Sequence, residues 1–322
     1  MLFALFAAIA SFGIGAAVQS EAMSEVITTN IEGCPAWVVG IAIAVLLSLV
    51  VFGGVKVISR VCEKLVPFMT VCYAVGSLAI LCINWQWILP AFEAIIVGAF
   101  NPQAVFGGAL GSTLMVALQF GCARGLFSNE SGLGSAPIVA AAASTRNPAR
   151  QALVSMTGTF WDTVVICLLT GLVLVSTMLA NGDIVSGISA ETITKGAELT
   201  SAAFGEIPVI GPIILVLGMM LFAFTTTLGW SYYGNRCITY LFGKRAVVPY
   251  QVLYILIAFL GAVGIGGIAW TVSDITNALM AVPNIICVLL LSTLVARETK
   301  HYVYDGNLDE VDDAPIPQFD TK

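Results

Sequence analysis

Long runs of apolar residues alternate with short polar stretches along almost the whole chain. A bilayer core of about 30 Å requires about 20 apolar residues per crossing helix, and several runs reach that length. The pattern predicts an all-α membrane domain over residues 1–297 with eight spans, the fourth interrupted, and an acidic polar tail over residues 298–322. The spans cover residues 2–20, 36–57, 66–84, 112–143, 151–179, 208–241, 247–266 and 269–295.

The composition excludes a soluble globular protein. Of the 322 residues, 58% are hydrophobic and only 10% are charged. With a mean hydropathy of +0.96, the chain is too apolar for a water-exposed surface of that size. The formal net charge is −6, and the sequence holds no basic patch that would bind nucleic acid.

Basic residues predict the orientation of the spans, because short cytoplasmic loops are enriched in Lys and Arg. The loops on one side hold all but two of the basic residues, and the opposite loops are acidic. We therefore expect both termini in the cytoplasm of a bacterial or archaeal cell, with the chain in its inner membrane. The basic residues on the predicted cytoplasmic side are Lys56, Arg60, Lys64, Arg146, Arg150, Arg236, Lys244, Arg245, Arg297, Lys300 and Lys322.

The interruption of the fourth span is the densest polar signal, QFGCARGLFSNESGLGSAPIVAAAA over residues 119–143. A run so polar and rich in glycine cannot continue as a lipid-exposed helix, because its freed peptide groups need partners. Transporters build midplane binding sites from such discontinuous helices. The alternative is a cytoplasmic loop between two ordinary helices. The candidate substrate-binding residues here are Ser128, Asn129, Glu130, Ser131, Gly132 and Gly134.

Three consecutive threonines give a second candidate site, for a cation. Hydroxyl and carbonyl oxygens of Thr225 and Thr226 are the ligands that a hard cation such as sodium prefers. The alternative is that these hydroxyls bond to the carbonyl of residue i−4, as is common in membrane helices. Trp230, one turn later, is a candidate wall of a small pocket or a core residue.

Charged residues inside the predicted spans form a third group, because each costs at least about 2.5 kcal/mol at the bilayer centre. Besides Glu130, they are Arg124, Asp162 and Asp274, which we interpret as gating or structural charges. An ion pair between Arg124 and Asp274 fits either role.

Several motifs resemble the alanine or glycine:cation symporter family, also called sodium:alanine symporters, of the amino acid, polyamine and organocation superfamily. The resemblance extends to about residue 300. The matching motifs are SFGIGAAVQS, ARGLFSNESGLGSAPIVAAAA, WDTVVICLLTG, TTLGWSYYGNRCITYLFG and SDITNALMAVPN.

The resemblance implies a core of two inverted five-helix repeats, in which the spans here correspond to core helices 3 to 10. The polar interruption then matches the unwound part of core helix 6, and Thr225 and Thr226 match the sodium site of core helix 8. Gln19 is implied as a pocket residue, although Ala16 and Glu21 stand where the family usually has Asn.

Core helices 1 and 2 have no counterpart in this chain. A truncated gene, a misassigned start and a split protein with a separate N-terminal chain are all open explanations. Because those helices carry half of each site in the family, we expect this chain alone to be inactive.

The function implied for the intact protein is sodium-coupled uptake of alanine or glycine by alternating access. The expected partners are the amino acid, sodium and lipid, without a cofactor. The rival functions are an ion channel and an intramembrane enzyme that uses Asp162 and Asp274 as an aspartyl pair. The only histidine, His301, lies beyond the last span, so histidine-based catalysis at membrane depth is excluded.

Overall fold

The computed structural model describes residues 1–31, 33–100, 121, 125–182, 196–264 and 266–310. The regular elements within these ranges are all helices. In chain order they are α1 (Leu2–Asn30), α2 (Ala36–Val51), α3 (Val55–Ile83), α4 (Ile88–Phe100), α5 (Ala136–Ala140), α6 (Pro148–Ala180), α7 (Gly196–Phe204), α8 (Ile210–Phe242), α9 (Lys244–Val263), α10 (Gly267–Leu290) and α11 (Ser292–Thr299).

Six of these helices, α1, α3, α6, α8, α9 and α10, are long and apolar enough to cross a membrane. The chain is therefore a multi-pass membrane protein. The predicted second span corresponds to α2, which has 16 residues, and much of the predicted fourth span lies outside the described residues. The count of eight spans accordingly stays a prediction.

The helix that contains the third span is longer than the predicted span. The sequence places Lys56, Arg60 and Lys64 between two spans, and α3 includes all three because it begins at Val55. The preceding turn is short because Gly54 adopts a positive φ of 77°, which glycine tolerates without strain. Long basic side chains can extend their charged ends toward the membrane surface, so they do not end a helix.

The first span was also predicted too short. The helix α1 continues to Asn30 and therefore includes Glu21 and Glu25, which the sequence places in a loop. Its middle, Ser11–Val18, is a π-helix. Both glutamates have good intrinsic helix propensity, so the end of the apolar run does not end the helix.

The chain divides into two compact units. The first contains Met1–Cys62, Asn129–Thr159 and Ala223–Lys322. In it, small residues of α1 allow close approach of neighbouring helices. A Cβ atom at Gly13 would lie 2.7 Å from Ser273 Oγ of α10, and one at Gly261 of α9 would overlap the backbone of Ala17. Such small-residue contacts are typical of helix packing in membranes.

Two buried tyrosines of α9 bond to neighbouring helices in this unit. The Tyr254 hydroxyl donates to the Thr227 carbonyl of α8 at 2.7 Å, and the Tyr250 hydroxyl lies 2.8 Å from Ser11 Oγ of α1. These bonds connect the middle of α1 and the threonine segment of α8 to the same helix. Because both hydrogen bonds are buried in an apolar core, breaking them costs more free energy than breaking exposed hydrogen bonds.

The second unit contains Glu63–Ser128 and Phe160–Phe222. Its core includes Phe204, stacked on Tyr73 with ring centroids 5.7 Å apart. At one end, the Glu206 carboxylate accepts hydrogen bonds of 2.6 Å from the side chains of both Asn84 and Asn181. This cluster connects the ends of α3 and α6 to the turn before α8.

The predicted acidic tail begins with ordered structure. A π-helix, Lys300–Tyr304, follows α11. The side-chain amide of Asn147 donates 3.1 Å hydrogen bonds to the carbonyls of Leu308 and Glu310, and Arg150 forms an ion pair with Asp309. The first residues of the tail are thus bound to the turn and first residues at the start of α6.

Candidate functional site

The backbone leaves the helical conformation at the residues where the sequence predicts an interruption. Residues 125–129 are helical, and the chain then turns through Glu130, Gly132 and Gly134, whose φ angles are 53°, 82° and 89°. Glycine adopts positive φ freely, but glutamate does so at a cost. The strained Glu130 backbone indicates that surrounding contacts hold the turn in place.

The resumed helix is shorter than the alanine-rich sequence predicts, because α5 contains only Ala136–Ala140. The next helix has its own start signal. Asn147 Oδ1 accepts a hydrogen bond from the Arg150 backbone N–H at 3.1 Å, which caps α6, and Pro148 occupies the first position of that helix. The residues between α5 and this cap form turns.

Glu130 lies beside the start of α5 and beside α8. Its carboxylate accepts a 2.7 Å hydrogen bond from Ser135 Oγ, and the side chains of Trp230 and Tyr233 of α8 lie near it. Trp230 is only 2% exposed. The structure therefore brings together two predicted site residues, Glu130 and Trp230.

The two glycines of the interruption lie against α10. The Asn284 side-chain amide donates to the Gly132 carbonyl at 2.9 Å. A Cβ atom on Gly134 would lie 2.8 Å from Phe3 Cε2 and 2.9 Å from Asn284 Oδ1. The backbone here approaches its neighbours too closely for any larger residue.

Within the turn from Glu130 to Ser135, Ser131 and Gly132 are the exposed residues. Ser131 Oγ lies 3.0 Å from Thr159 Oγ1 of α6 and 3.5 Å from the Asn129 carbonyl. Their peptide groups and the serine hydroxyl can therefore meet a polar solute.

The candidate cation ligands lie in an unbroken part of α8. Thr225 is buried and Thr226 is half-buried. The neighbouring Thr227 makes the i−4 hydrogen bond expected of membrane threonines, from Oγ1 to the Ala223 carbonyl at 2.8 Å. Thr226 shares a helix face with Trp230 and Tyr233, since these residues are spaced i, i+4 and i+7.

Two further candidates lie in the same unit. Gln19 is half-buried in α1, and Asp274 is exposed on α10. Arg124, the proposed partner of Asp274, lies outside the described residues, so the predicted ion pair is not tested.

In the second unit, Ser128 and Asp162 contact each other. Ser128 Oγ lies 3.0 Å from Asp162 Oδ1 and 2.8 Å from Oδ2. Asp162 belongs to a π-helical segment of α6, Phe160–Cys167. Short π-helical segments within α-helices often occur at functional sites.

Sequence reasoning missed three residues that hold the interruption: Tyr233, Thr159 and Asn284. Tyr233 could have been found, because it follows Trp230 by one turn on the face of Thr226. Asn284 also carried a signal, as a polar residue in an apolar helix. Thr159 carried none, since threonine is common in membrane helices and its contact with Ser131 arises from tertiary structure.

A cavity of about 320 Å³ opens beside α5, between Phe3, Ile138 and Arg236. The guanidinium of Arg236 lies 5.0 Å from the ring centre of Tyr232. This cavity is not lined by Glu130 or the threonines. No group of three metal-ligating side chains is found within the described ranges, so the candidate ligands for a cation are hydroxyl, carbonyl and single carboxylate oxygens.

Comparisons with known proteins agree on one class. The model of the sodium:alanine symporter family matches residues 1–313. The sodium/alanine symporter AgcS of Methanococcus maripaludis is 44% identical over 303 residues, or 93% of this chain and 64% of that protein. An uncharacterized transporter of Haemophilus influenzae is 46% identical over 306 residues, or 94% of this chain and 64% of that protein. The sodium/proton-dependent alanine carrier protein of a Bacillus species (strain PS3) is 32% identical over 297 residues, or 88% of this chain and 65% of that protein.

Proposed function

Because the chain belongs to the sodium:alanine symporter family, we propose that it forms the larger part of a sodium-coupled transporter for small neutral amino acids, alanine or glycine. The relatives named above are transporters, symporters or carriers, which agrees with the prediction that the chain is not an enzyme. The chain spans 64% of the length of the first two, so the activity proposed is that of the whole protein.

The observation that carries the proposal is the turn from Glu130 to Ser135, whose peptide groups at Ser131 and Gly132 are exposed. An amino acid zwitterion needs hydrogen-bond donors for its carboxylate and acceptors for its ammonium group. Backbone groups released from a helix supply both in a small space. The five residues of α5 give only a weak helix dipole, so we assign the recognition to these peptide groups and to the Ser131 hydroxyl.

Sodium is proposed to bind at the oxygens of Thr225 and Thr226. Trp230 follows Thr226 by one turn and lies near the Glu130 carboxylate of the interruption. A cation that orders this part of α8 would therefore also stabilise the turn that receives the amino acid. Gln19 and the face of Trp230 are proposed to complete the pocket.

Alternating access would let sodium drive the uptake. One sodium ion moving through 100 mV releases about 2.3 kcal/mol, and a tenfold sodium gradient adds about 1.4 kcal/mol. Together they support accumulation of a few hundredfold. We propose the inner membrane of a bacterial or archaeal cell as the location, with both termini in the cytoplasm, from the distribution of basic residues.

A chimera tests this function. The region of M. maripaludis AgcS that matches this chain would be replaced by the corresponding residues of this chain, and the product reconstituted in proteoliposomes. We expect alanine uptake that requires an inward sodium gradient and is abolished by Thr226→Ala. A correctly inserted chimera that takes up no alanine, or takes it up equally in potassium, would overturn the proposal. The chain alone, reconstituted in the same way, is expected to give no uptake.

A further inference from the structure

Asp162 is a carboxylate inside a long apolar helix. It lies 14 residues after the start of α6, which runs from Pro148 to Ala180 and has one of the most hydrophobic windows of the chain, with a mean hydropathy of 2.4. A charged side chain at that depth requires a counter-charge or water. Asp162 is half-buried, so the described residues do not enclose its side chain completely.

The protein contacts of Asp162 leave most of its acceptor capacity unused. Ser128 Oγ lies within hydrogen-bond distance of both carboxylate oxygens, but a hydroxyl carries only one proton. The ion pairs found in the described ranges are Arg150–Asp309, Arg297–Glu298 and His301–Glu310, none of which includes Asp162. The hydroxyl and the carboxylate instead form a pair of oxygen ligands of one net negative charge.

The backbone around Asp162 departs from a regular α-helix. Asp162 is the third residue of the π-helical segment Phe160–Cys167. Such segments within α-helices are frequent at functional sites, so the position of Asp162 agrees with a binding role.

We propose that Asp162 and Ser128 form a binding site for one alkali metal cation, sodium, in the second unit. Carboxylate, hydroxyl and carbonyl oxygens are hard ligands and suit a hard cation. The site shares no residue with the proposed sodium site at Thr225 and Thr226. The site does not depend on the amino acid pocket proposed above. This proposal can therefore be correct even where the proposed transport function is not.

Direct binding of radioactive sodium to the full chain in lipid nanodiscs tests the site. Asp162→Asn keeps an oxygen that accepts the Ser128 hydrogen bond but removes the charge, and we expect at least about tenfold weaker sodium binding. Ser128→Ala is expected to weaken the binding about threefold to tenfold. Glu93→Gln, which neutralises an exposed carboxylate of α4, is the matched control and should bind sodium like the unmodified chain.

Two outcomes would overturn the proposal. Unchanged sodium binding in Asp162→Asn would show that the carboxylate is not a ligand. If the unmodified chain bound no sodium and Arg124→Ala did, the result would show that the arginine neutralises Asp162 instead. Thr226→Ala separates this site from the transport proposal, because it should leave the Asp162-dependent binding unchanged. Circular dichroism and size-exclusion profiles of each variant identify any loss of folding.

Discussion

At the scale of single residues, Glu130 has a structural task that its sequence motif does not reveal. Its carboxylate accepts a hydrogen bond from Ser135 Oγ and lies near the side chains of Trp230 and Tyr233, while its own backbone has an unfavourable φ of 53°. These contacts offset the strain. We therefore interpret Glu130 as the residue that positions the exposed turn for a substrate.

Replacing Glu130 separates this positioning task from its charge. Glu130→Ala leaves the Ser135 hydroxyl without its acceptor, and we expect a loss of about 1–3 kcal/mol in the free energy of unfolding. Glu130→Gln keeps one acceptor oxygen and should lose less. Unfolding by sodium dodecyl sulfate, followed by circular dichroism, gives both values, with the exposed Glu93→Ala as control. Equal stability of Glu130→Ala and the control would exclude the positioning role.

Gly134 tests whether close packing or backbone conformation matters more at the turn. Gly134 and Gly243 have similar φ angles, 89° and 78°, but a Cβ atom at Gly243 would meet no neighbour within 4 Å. We expect Gly243→Ala to cost about 1 kcal/mol from strain alone. Gly134→Ala should cost about 2 kcal/mol more, because its Cβ also contacts Phe3 and Asn284. Equal melting temperatures of the two variants in detergent would argue against the close approach.

At the scale of helices, the apolar runs predicted where the long elements lie but not where they end. Lys56, Arg60 and Lys64 were predicted to lie on the cytoplasmic side between two spans, and the structure includes all three in α3. A basic side chain reaches several ångströms along its helix, so charge in the sequence does not locate a helix end. The alanine run after Gly134 misled in the opposite direction, because α5 ends at Ala140 although the alanines continue to residue 143.

Packing of α1 against α9 depends on glycine at one position. A Cβ atom at Gly261 would overlap the Ala17 backbone, whereas one at Gly218 of α8 would meet nothing within 4 Å. We expect Gly261→Ala to separate the two helices and lower the free energy of unfolding by about 1–3 kcal/mol. Gly218→Ala should be neutral or stabilise α8 by about 0.5–1 kcal/mol, because alanine is the better helix former. Thermal unfolding of Gly261→Ala and Gly218→Ala in the same detergent compares the two variants. Equal shifts in melting temperature would contradict the packing argument.

At the scale of the whole molecule, the chemistry of the candidate site was more predictable than its construction. Glycine and polar residues in an apolar run require peptide groups to leave the helix, so the interruption is visible in the sequence. Its partners come from α6, α8 and α10, and contacts between elements so distant in sequence follow from the packing of the helices. The contact of Ser131 with Thr159 and that of Gly132 with Asn284 are of this kind.

The first residues of the tail make another long-range contact, which depends on Asn147. This residue is 2% exposed, and its amide binds the Leu308 and Glu310 carbonyls while its oxygen caps α6 at Arg150. Asn147→Asp would keep the cap, since aspartate is an equally good N-cap, but would remove the amide that donates to the tail. The new carboxylate would also repel the two carbonyl oxygens.

We therefore expect Asn147→Asp to release the tail without unfolding the helices. Backbone amides of residues 305–310 should exchange with deuterium at least about tenfold faster, because their protection requires the closed contact. Protection within α6 and α8 should stay unchanged. Glu298→Gln, which alters the neighbouring exposed ion pair with Arg297, is the control and should leave exchange in the tail unaffected. Unchanged exchange at 305–310 in Asn147→Asp would mean that Arg150 and Asp309 hold the tail, and faster exchange throughout α6 would mean that the cap was lost as well.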